Sequence, residues 1–151
     1  MAESPFVAID EIILKAESES RKTLILKENK DSDSALVMFV GEPEFMAIAK
    51  EKGLIQTPRP LTHELYLKIL ENLGVRFLRV EIYDLRDQAY LANVLYDKDG
   101  TEATVDARPS DALALALNRR LPVFVHQKLL RKQITPEQVE SYKDLIKSVR
   151  F

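Results

Sequence analysis

The sequence predicts one α+β domain built from two β-rich units, each of which ends in a helix. Three observations lead to this fold class. The chain has 151 residues, which is enough for one hydrophobic core and too short for two ordinary domains. Short β-branched runs alternate with segments of helical period. The order strand, strand, strand, helix occurs twice, which indicates an internal duplication of shape. We therefore expect a single domain over residues 1–151.

The first unit is predicted from three apolar runs and a glycine-proline sequence. Phe6–Lys15 and Thr23–Lys27 are β-branched and are joined by a polar segment, so they predict a hairpin. Ser34–Val40 supplies a third strand. Proline is tolerated in the first turn of a helix, so the sequence GEPE beginning at Gly41 predicts a helix over about Glu44–Lys52.

A second helix and the second unit follow. Thr62–Leu73 carries apolar residues at every fourth position from Leu65 and predicts an amphipathic helix. Phe77–Val80 then repeats the pattern of Phe6–Ile9. Tyr90–Tyr96 and a run that ends at Asp106 predict the next two strands, separated by a turn. The repeated order places the next helix directly after Asp106.

The helix that closes the second unit is predicted to be buried on all sides. It begins in the sequence PSD, with Ser110 as its cap, and contains only alanine and leucine from Ala112 to Leu117. Leu113 and Leu115 would lie on nearly opposite sides of it. A helix that is apolar all round is a buried helix. We expect it to lie between two layers, either two sheets or a sheet and another subunit.

The end of the chain predicts a short strand and a final helix. Val123–His126 reads as the strand, and we interpret His126 as structural. The helix is expected over about residues 135–149, because Thr135 and Gln138 have the spacing of a capping box and Pro136 suits the first turn.

Composition excludes several functional classes. The chain has no cysteine, which excludes disulfides, thiol catalysis and cysteine-based zinc sites and favours a cytoplasmic location. It has no apolar run long enough to cross a bilayer and no secretory signal pattern, so no membrane association is expected. The net charge of −2 argues against nonspecific coating of nucleic acid. Between residues 107 and 132, however, six basic residues face one acid, Asp111.

Two helix starts have the same order of residue types. Asp106, Arg108 and Asp111 surround the start of the alanine-leucine helix, while Arg59 precedes His63 and Glu64 at the start of the helix over Thr62–Leu73. Each combines an Arg-Pro pair, a hydroxyl residue and ionisable residues in the first turn. We predict that the two turns face each other and form a functional site.

Each side chain of this predicted site has a functional and a structural interpretation. Asp106 and Asp111, with Glu42 or Glu44, could hold Mg²⁺ or Mn²⁺, because hard cations bind carboxylate oxygens. Alternatively, Asp111 favours the helix dipole and pairs with Arg108, and Asp106 only ends a strand.

The basic residues leave the same choice open. Arg59 and Arg108 could bind phosphate, with Ser110 beside them, or could cross-link to Glu64 and Asp111. His63 could act as a general base, with Glu64 next to it as a further catalytic candidate, or could serve only as a helix-start residue.

Three segments together resemble the bifunctional nuclease domain family. They are DARPSDALALA at residues 106–116, RPLTHEL at residues 59–65, and the GEPE sequence at Gly41 that leads into Ala47-Ile48-Ala49. The resemblance covers roughly Phe6–Leu130 and leaves the final helix outside the shared core. It implies the family's fold and, because plant members are associated with cleavage of RNA and DNA, a nuclease activity.

Two functions remain open from the sequence. One is a metal-assisted nuclease with catalytic residues Asp106, Asp111, His63 and Glu64. The other is a non-catalytic binding module for an anionic ligand or a protein. We expect a homo-oligomer in either case, most simply a dimer. The six phenylalanines and five tyrosines are expected mostly to point inward, and there is no tryptophan, so little base stacking is predicted.

Overall fold

The computed structural model describes residues 4–132, which form two β-sheets and three α-helices. The predicted helix over about residues 135–149 lies outside this part of the chain. The strands are β1 (Phe6–Ala8), β2 (Glu11–Ala16), β3 (Lys22–Lys27), β4 (Ser34–Val40), β5 (Val75–Arg86), β6 (Ala89–Lys98), β7 (Thr101–Ala107), β8 (Val123–His126) and β9 (Arg131–Lys132). The helices are α1 (Glu42–Glu51), α2 (Thr62–Asn72) and α3 (Pro109–Arg119), and a 3-10 turn spans Gln127–Leu129.

The predicted α+β class and the two repeated units are confirmed. In the first unit, β2, β3 and β4 form an antiparallel meander that continues into α1. In the second, β5, β6 and β7 do the same and continue into α3. The sheet orders are β1-β8-β5-β6-β7 and β2-β3-β4-β9, so the two meanders belong to different sheets.

The first apolar run differs from the prediction because it crosses between the sheets. It was expected to be one strand over Phe6–Lys15. The backbone N–H of Ile9 instead bonds to the carbonyl of Val123, and that of Asp10 bonds to the carbonyl of Glu28, directly after β3 of the other sheet. β1 therefore pairs with β8 and lies outside the first meander. The counterpart of β5 is β2, so the resemblance of Phe77–Val80 to Phe6–Ile9 does not reflect equivalent positions.

The burial of α3 is confirmed, and its second layer is identified. Leu113 and Leu115 are 0% and 4% exposed although they lie on nearly opposite sides of the helix. α3 packs on β5 and β6 and, on its other side, on α1 and α2. The covering layer thus comes from two helices of the same chain, whereas the prediction was a second sheet or another subunit. Ile48 of α1 and Leu67 of α2 are completely buried.

The apolar stripe of α2 faces outward. Leu65, Ile69 and Leu73 are between 49% and 62% exposed, while His63 and Leu67 form the buried side of the helix. The period of the stripe predicted the helix correctly but not the face that packs on α3. Within residues 4–132, no helix is long and apolar enough to cross a membrane.

Candidate functional site

The first turns of α1, α2 and α3 meet around one cleft of about 430 Å³. We call it the helix cleft. Its lining comes from the three helix starts and the residues behind them: Pro43, Glu44, Met46, Ala47, Leu61, Thr62, His63, Tyr66, Arg108, Ser110, Asp111 and Ala114. The prediction that the turns at His63 and Asp111 face each other is therefore confirmed. The start of α1, which the sequence analysis included only through Glu42 or Glu44 as a metal ligand, forms the third wall.

Arg108 joins two of these helix starts. Its Nε and Nη2 atoms donate to the two carboxylate oxygens of Asp111 at 2.9 and 3.2 Å, and Nη1 donates to Oε1 of Glu44 at 3.0 Å. The hydrogen bonds to Asp111, then the one to Glu44, raise the pKa of Arg108. The side chain is nevertheless 64% exposed. Arg108 is thus a charged group held by two carboxylates and open to solvent, as the structural alternative for Asp111 predicted.

A second cleft of about 630 Å³ lies on the other side of Arg108. We call it the strand cleft, because most of its wall is the end of β4 and the β5–β6 turn. Its lining is Val37, Met38, Phe39, Val40, Gly41, Glu44, Leu85, Gln88, Ala89, Tyr90, Arg108, Pro109 and Ser110. Glu44, Arg108 and Ser110 line both clefts. The Arg108–Glu44 pair therefore forms the boundary between them.

His63 belongs to a partly buried network that ties the three helices together. Its Nε2 lies 2.7 Å from Oε1 of Glu51, and that oxygen also accepts from Nδ2 of Asn118 at 3.0 Å. An ionised carboxylate only accepts hydrogen bonds, so Nε2 carries the proton and donates it to Glu51. His63 Nδ1 has no hydrogen-bond partner among residues 4–132. The network orients the ring and leaves one nitrogen able to accept a proton.

Glu51 and Asn118 were not predicted as site residues from the sequence. Glu51 ends α1, where an acid opposes the helix dipole. That unfavourable position was the one local signal that Glu51 has a partner elsewhere. Asn118 lies in the last turn of α3 and gives no comparable signal.

Glu64 is held in its charged form by neighbours that were not predicted. Its Oε1 accepts from the backbone N–H of Leu61 at 2.9 Å and from Nζ of Lys50. Burial alone would raise the pKa of Glu64, but the Leu61 hydrogen bond and the Lys50 ammonium outweigh it and lower that pKa. The cation beside Glu64 is therefore Lys50, where the structural alternative had placed Arg59.

The remaining predicted residues lie at the edges of the site or away from it. Ser110 is buried and lines both clefts. Asp106 is exposed on β7 opposite Asn93, Glu42 is exposed at the first position of α1, and Arg59 is exposed in the loop before α2. None of these three lines either cleft.

One group of side chains in the described part of the chain has ligand atoms close enough for a shared metal ion. Glu51, His63 and Glu64 each offer an atom within 4.8 Å of the others. The set predicted from the sequence, Asp106, Asp111 and Glu42, does not form such a group. In the cluster that does, Lys50 already neutralises Glu64 and His63 already donates to Glu51. A cation could bind there only by displacing Lys50, so these residues fit a structural network better than a metal centre.

Comparison with known proteins identifies the family. The model of the bifunctional nuclease domain matches residues 24–138. The chain belongs to the bifunctional nuclease domain family. The predicted resemblance is thus confirmed, with a match that starts later than Phe6 and extends past Leu130. All three segments that carried the resemblance lie within it.

Relatives in bacteria and plants are similar at modest identity. An uncharacterised protein of Mycobacterium tuberculosis (strain H37Rv) is 28% identical over an alignment of 151 positions, which covers 90% of each chain. Bifunctional nuclease 1 of Oryza sativa subsp. japonica is 28% identical over 134 residues, covering 83% of this chain and 40% of the rice protein. Bifunctional nuclease 2 of the same plant is 28% identical over 117 residues, covering 75% and 36%. The chain therefore corresponds to less than half of either rice protein.

Proposed function

We propose that the chain is a nuclease that hydrolyses phosphodiester bonds of RNA or DNA in the helix cleft. The observation that carries the proposal is the convergence of three helix starts around an exposed arginine. Backbone N–H groups and the dipoles of helix starts favour an anion, and a guanidinium matches the geometry of a phosphate. Family membership and the names of the rice relatives support a nuclease rather than another phosphate-binding protein.

Arg108 is the proposed phosphate contact, with Ser110 beside it. Its hydrogen bonds to Asp111 and Glu44 are at the surface, where ion pairs contribute little to stability. A phosphate can therefore replace one of them at low cost. When Arg108 turns to the substrate, the carboxylate of Asp111 is left free in the same cleft. Arg59 remains a proposed second contact for substrate that extends beyond the cleft.

His63 is the proposed general base. Its Nε2–H bond to Glu51 fixes the ring and leaves Nδ1 as the proton acceptor, and the side chain lines the helix cleft. Glu64, the further catalytic candidate, stabilises the start of α2 through Leu61 and pairs with Lys50 of α1. In this proposal Glu64 acts by holding that helix start in place.

A divalent ion, Mg²⁺ or Mn²⁺, is part of the proposal. When bound, such an ion would activate water and stabilise the departing oxygen. Asp111, which lines the helix cleft, is the carboxylate that would hold the ion, with the substrate phosphate supplying further oxygen ligands. Asp106 and Glu42, the other carboxylates predicted from the sequence, line neither cleft and do not lie close enough to Asp111 to share an ion with it.

The second candidate function is a non-catalytic binding module. It is favoured by the pairing already present: Arg108 is held by two carboxylates, and Glu51, His63 and Glu64 form a closed network. Such pairing suits a rigid scaffold.

For both functions we propose a homo-oligomer, most simply a dimer, located in the cytoplasm. A molecular mass from light scattering above the 17.3 kDa of the monomer would support the oligomer.

Incubation with single-stranded RNA and DNA separates the two functions. We expect cleavage in Mg²⁺ or Mn²⁺ and none in EDTA. Asp111→Asn should lower the rate about 100-fold or more, because it removes a charge and preserves the shape. Arg108→Ala should mainly weaken substrate binding, whereas His63→Ala should lower the rate of cleavage with little change in substrate binding. Asp33→Asn is the matched control, since Asp33 is an exposed acid that lines neither cleft.

The outcomes are distinct once circular dichroism shows that each variant is folded. Equal cleavage by the native protein and Asp111→Asn would overturn the proposed site. Cleavage that survives EDTA would overturn the metal requirement. Absence of cleavage, together with anion binding that Arg108→Ala abolishes, would establish the binding module instead.

A further inference from the structure

A third cleft extends the two already described. It has a volume of about 250 Å³ and is lined by Ser20, Arg21, Lys22, Phe39 and Val40. Phe39 and Val40 also line the strand cleft, and the strand cleft shares Arg108 with the helix cleft. The three clefts therefore follow one another with shared walls, in the order basic cleft, strand cleft, helix cleft. We use the name basic cleft for the one at Arg21 and Lys22.

Phe39 is an aromatic side chain in an unusual position. It lies near the end of β4 and is 65% exposed, so it is an exception to the expectation that most aromatic residues point inward. The guanidinium of Arg21 lies over its ring, 4.9 Å from the ring centroid. Exposed aromatic rings are the surfaces on which proteins stack unpaired bases, and a neighbouring arginine adds cation–π attraction.

The charges along the clefts suit a phosphate backbone. Arg21 and Lys22 lie at one end and Arg108 lies at the boundary with the helix cleft. The strand cleft between them is lined by one acid, Glu44, which accepts a hydrogen bond from Arg108. Glu17 pairs with Arg21 at the surface, a contact that a phosphate can replace.

We propose that the three clefts form a single track for single-stranded nucleic acid, with a base stacked on Phe39 and phosphates bound by Arg21, Lys22 and Arg108. The inference rests on the proposed function for its class of ligand but not for catalysis. A duplex is excluded from this mode of binding because its bases are stacked on one another and cannot reach Phe39. The track leads the nucleic-acid strand into the helix cleft.

Fluorescence anisotropy in EDTA tests the track without cleavage. The probe is a labelled single strand of about 12 nucleotides, as DNA and as RNA. We expect Phe39→Ala to weaken binding about ten- to hundredfold, because stacking on an aromatic side chain is lost. Phe39→Tyr keeps the aromatic ring and should retain the native affinity. Leu54→Ala is the matched control: Leu54 is 64% exposed, as much as Phe39, and lines none of the three clefts.

Two further measurements distinguish stacking from a general loss of structure. On an abasic strand of the same length, native protein and Phe39→Ala should bind equally, because no base is present to stack. Replacing Arg21 and Lys22 together by glutamine should reduce the slope of log affinity against log salt by about 1.4, or about 0.7 for each lost phosphate contact.

The results that would overturn the track differ from those that would overturn the nuclease. Equal binding by Phe39→Ala and Leu54→Ala, or an equal loss on the abasic strand, would remove the stacking position. Preference for a duplex or for an acidic peptide over the single strand would replace the proposed ligand. If Phe39-dependent binding is present but no cleavage occurs in Mg²⁺ or Mn²⁺, the track stands and only the proposed catalysis fails.

Discussion

Replacement of Glu51 tests whether one carboxylate holds the helix cleft together. Its Oε1 accepts from His63 of α2 and from Asn118 of α3, and its side chain is only 11% exposed. Glu51→Ala leaves both donors without a partner in a setting that water hardly reaches. Each such group costs about 1–3 kcal/mol, so we expect a loss of about 2 kcal/mol or more in the free energy of unfolding. Removing an acid from the last turn of α1 offsets part of this by about 0.5 kcal/mol.

Thermal and urea denaturation measure this loss. For a chain of this size, about 2 kcal/mol corresponds to a decrease of about 4–8 °C in Tm. Glu51→Gln retains an oxygen that can accept from both donors and should lose much less. Glu102→Ala makes the same truncation at an exposed position of β7 and should change stability by no more than about 0.5 kcal/mol. If Glu51→Ala is as stable as Glu102→Ala, the network does not hold the helices together.

Two further predictions concern α3 and the edge of the strand cleft. Leu115→Ala should lower the free energy of unfolding by about 2–5 kcal/mol, because Leu115 is only 4% exposed. Leu65→Ala, on the exposed face of α2, should lower it little. Equal small losses for both variants in urea denaturation would contradict the burial of α3 on both sides. The backbone N–H of Leu85, then the Lys128 ammonium, lower the pKa of Asp84 to about 2. Because this pKa is depressed, the stabilisation is present above the ordinary aspartate pKa of 3.8 and is lost as the pH falls towards 2. The Tm difference between native protein and Asp84→Asn should therefore shrink as the pH falls from about 4 to 2. A constant difference would show that the charged Asp84 carboxylate does not stabilise the fold.

The elements could largely be predicted from the sequence because their signals are local. Pro43 and Pro109 mark the first turns of α1 and α3, and the alanine-leucine run from Ala112 shows that α3 is buried. The pairing of elements could not be predicted in the same way. β1 joins β8 through contacts with residues more than a hundred positions away, which no local pattern records.

The site could be predicted in part for the same reason. The helix starts at His63 and Asp111 are visible as repeated residue types, and they do meet. Glu44 was considered only as a metal ligand because nothing local shows that Arg108, 64 positions away, bonds to it. Glu51 was missed since its partners lie on other helices. The sequence did not show which face of α2 packs on α3, because the period of apolar residues identifies a face but not the neighbour that covers it.

The position of the clefts follows from the two-unit architecture. Each meander continues into a helix, α1 after β4 and α3 after β7, and each helix therefore begins at the end of a sheet. α1 packs on α3, which brings the two helix starts together although they belong to different sheets. Arg108 then bonds across the junction to Glu44. Neither unit alone contains both the α1 wall and the α3 wall of the helix cleft, so any change that separates these two helices should open the cleft.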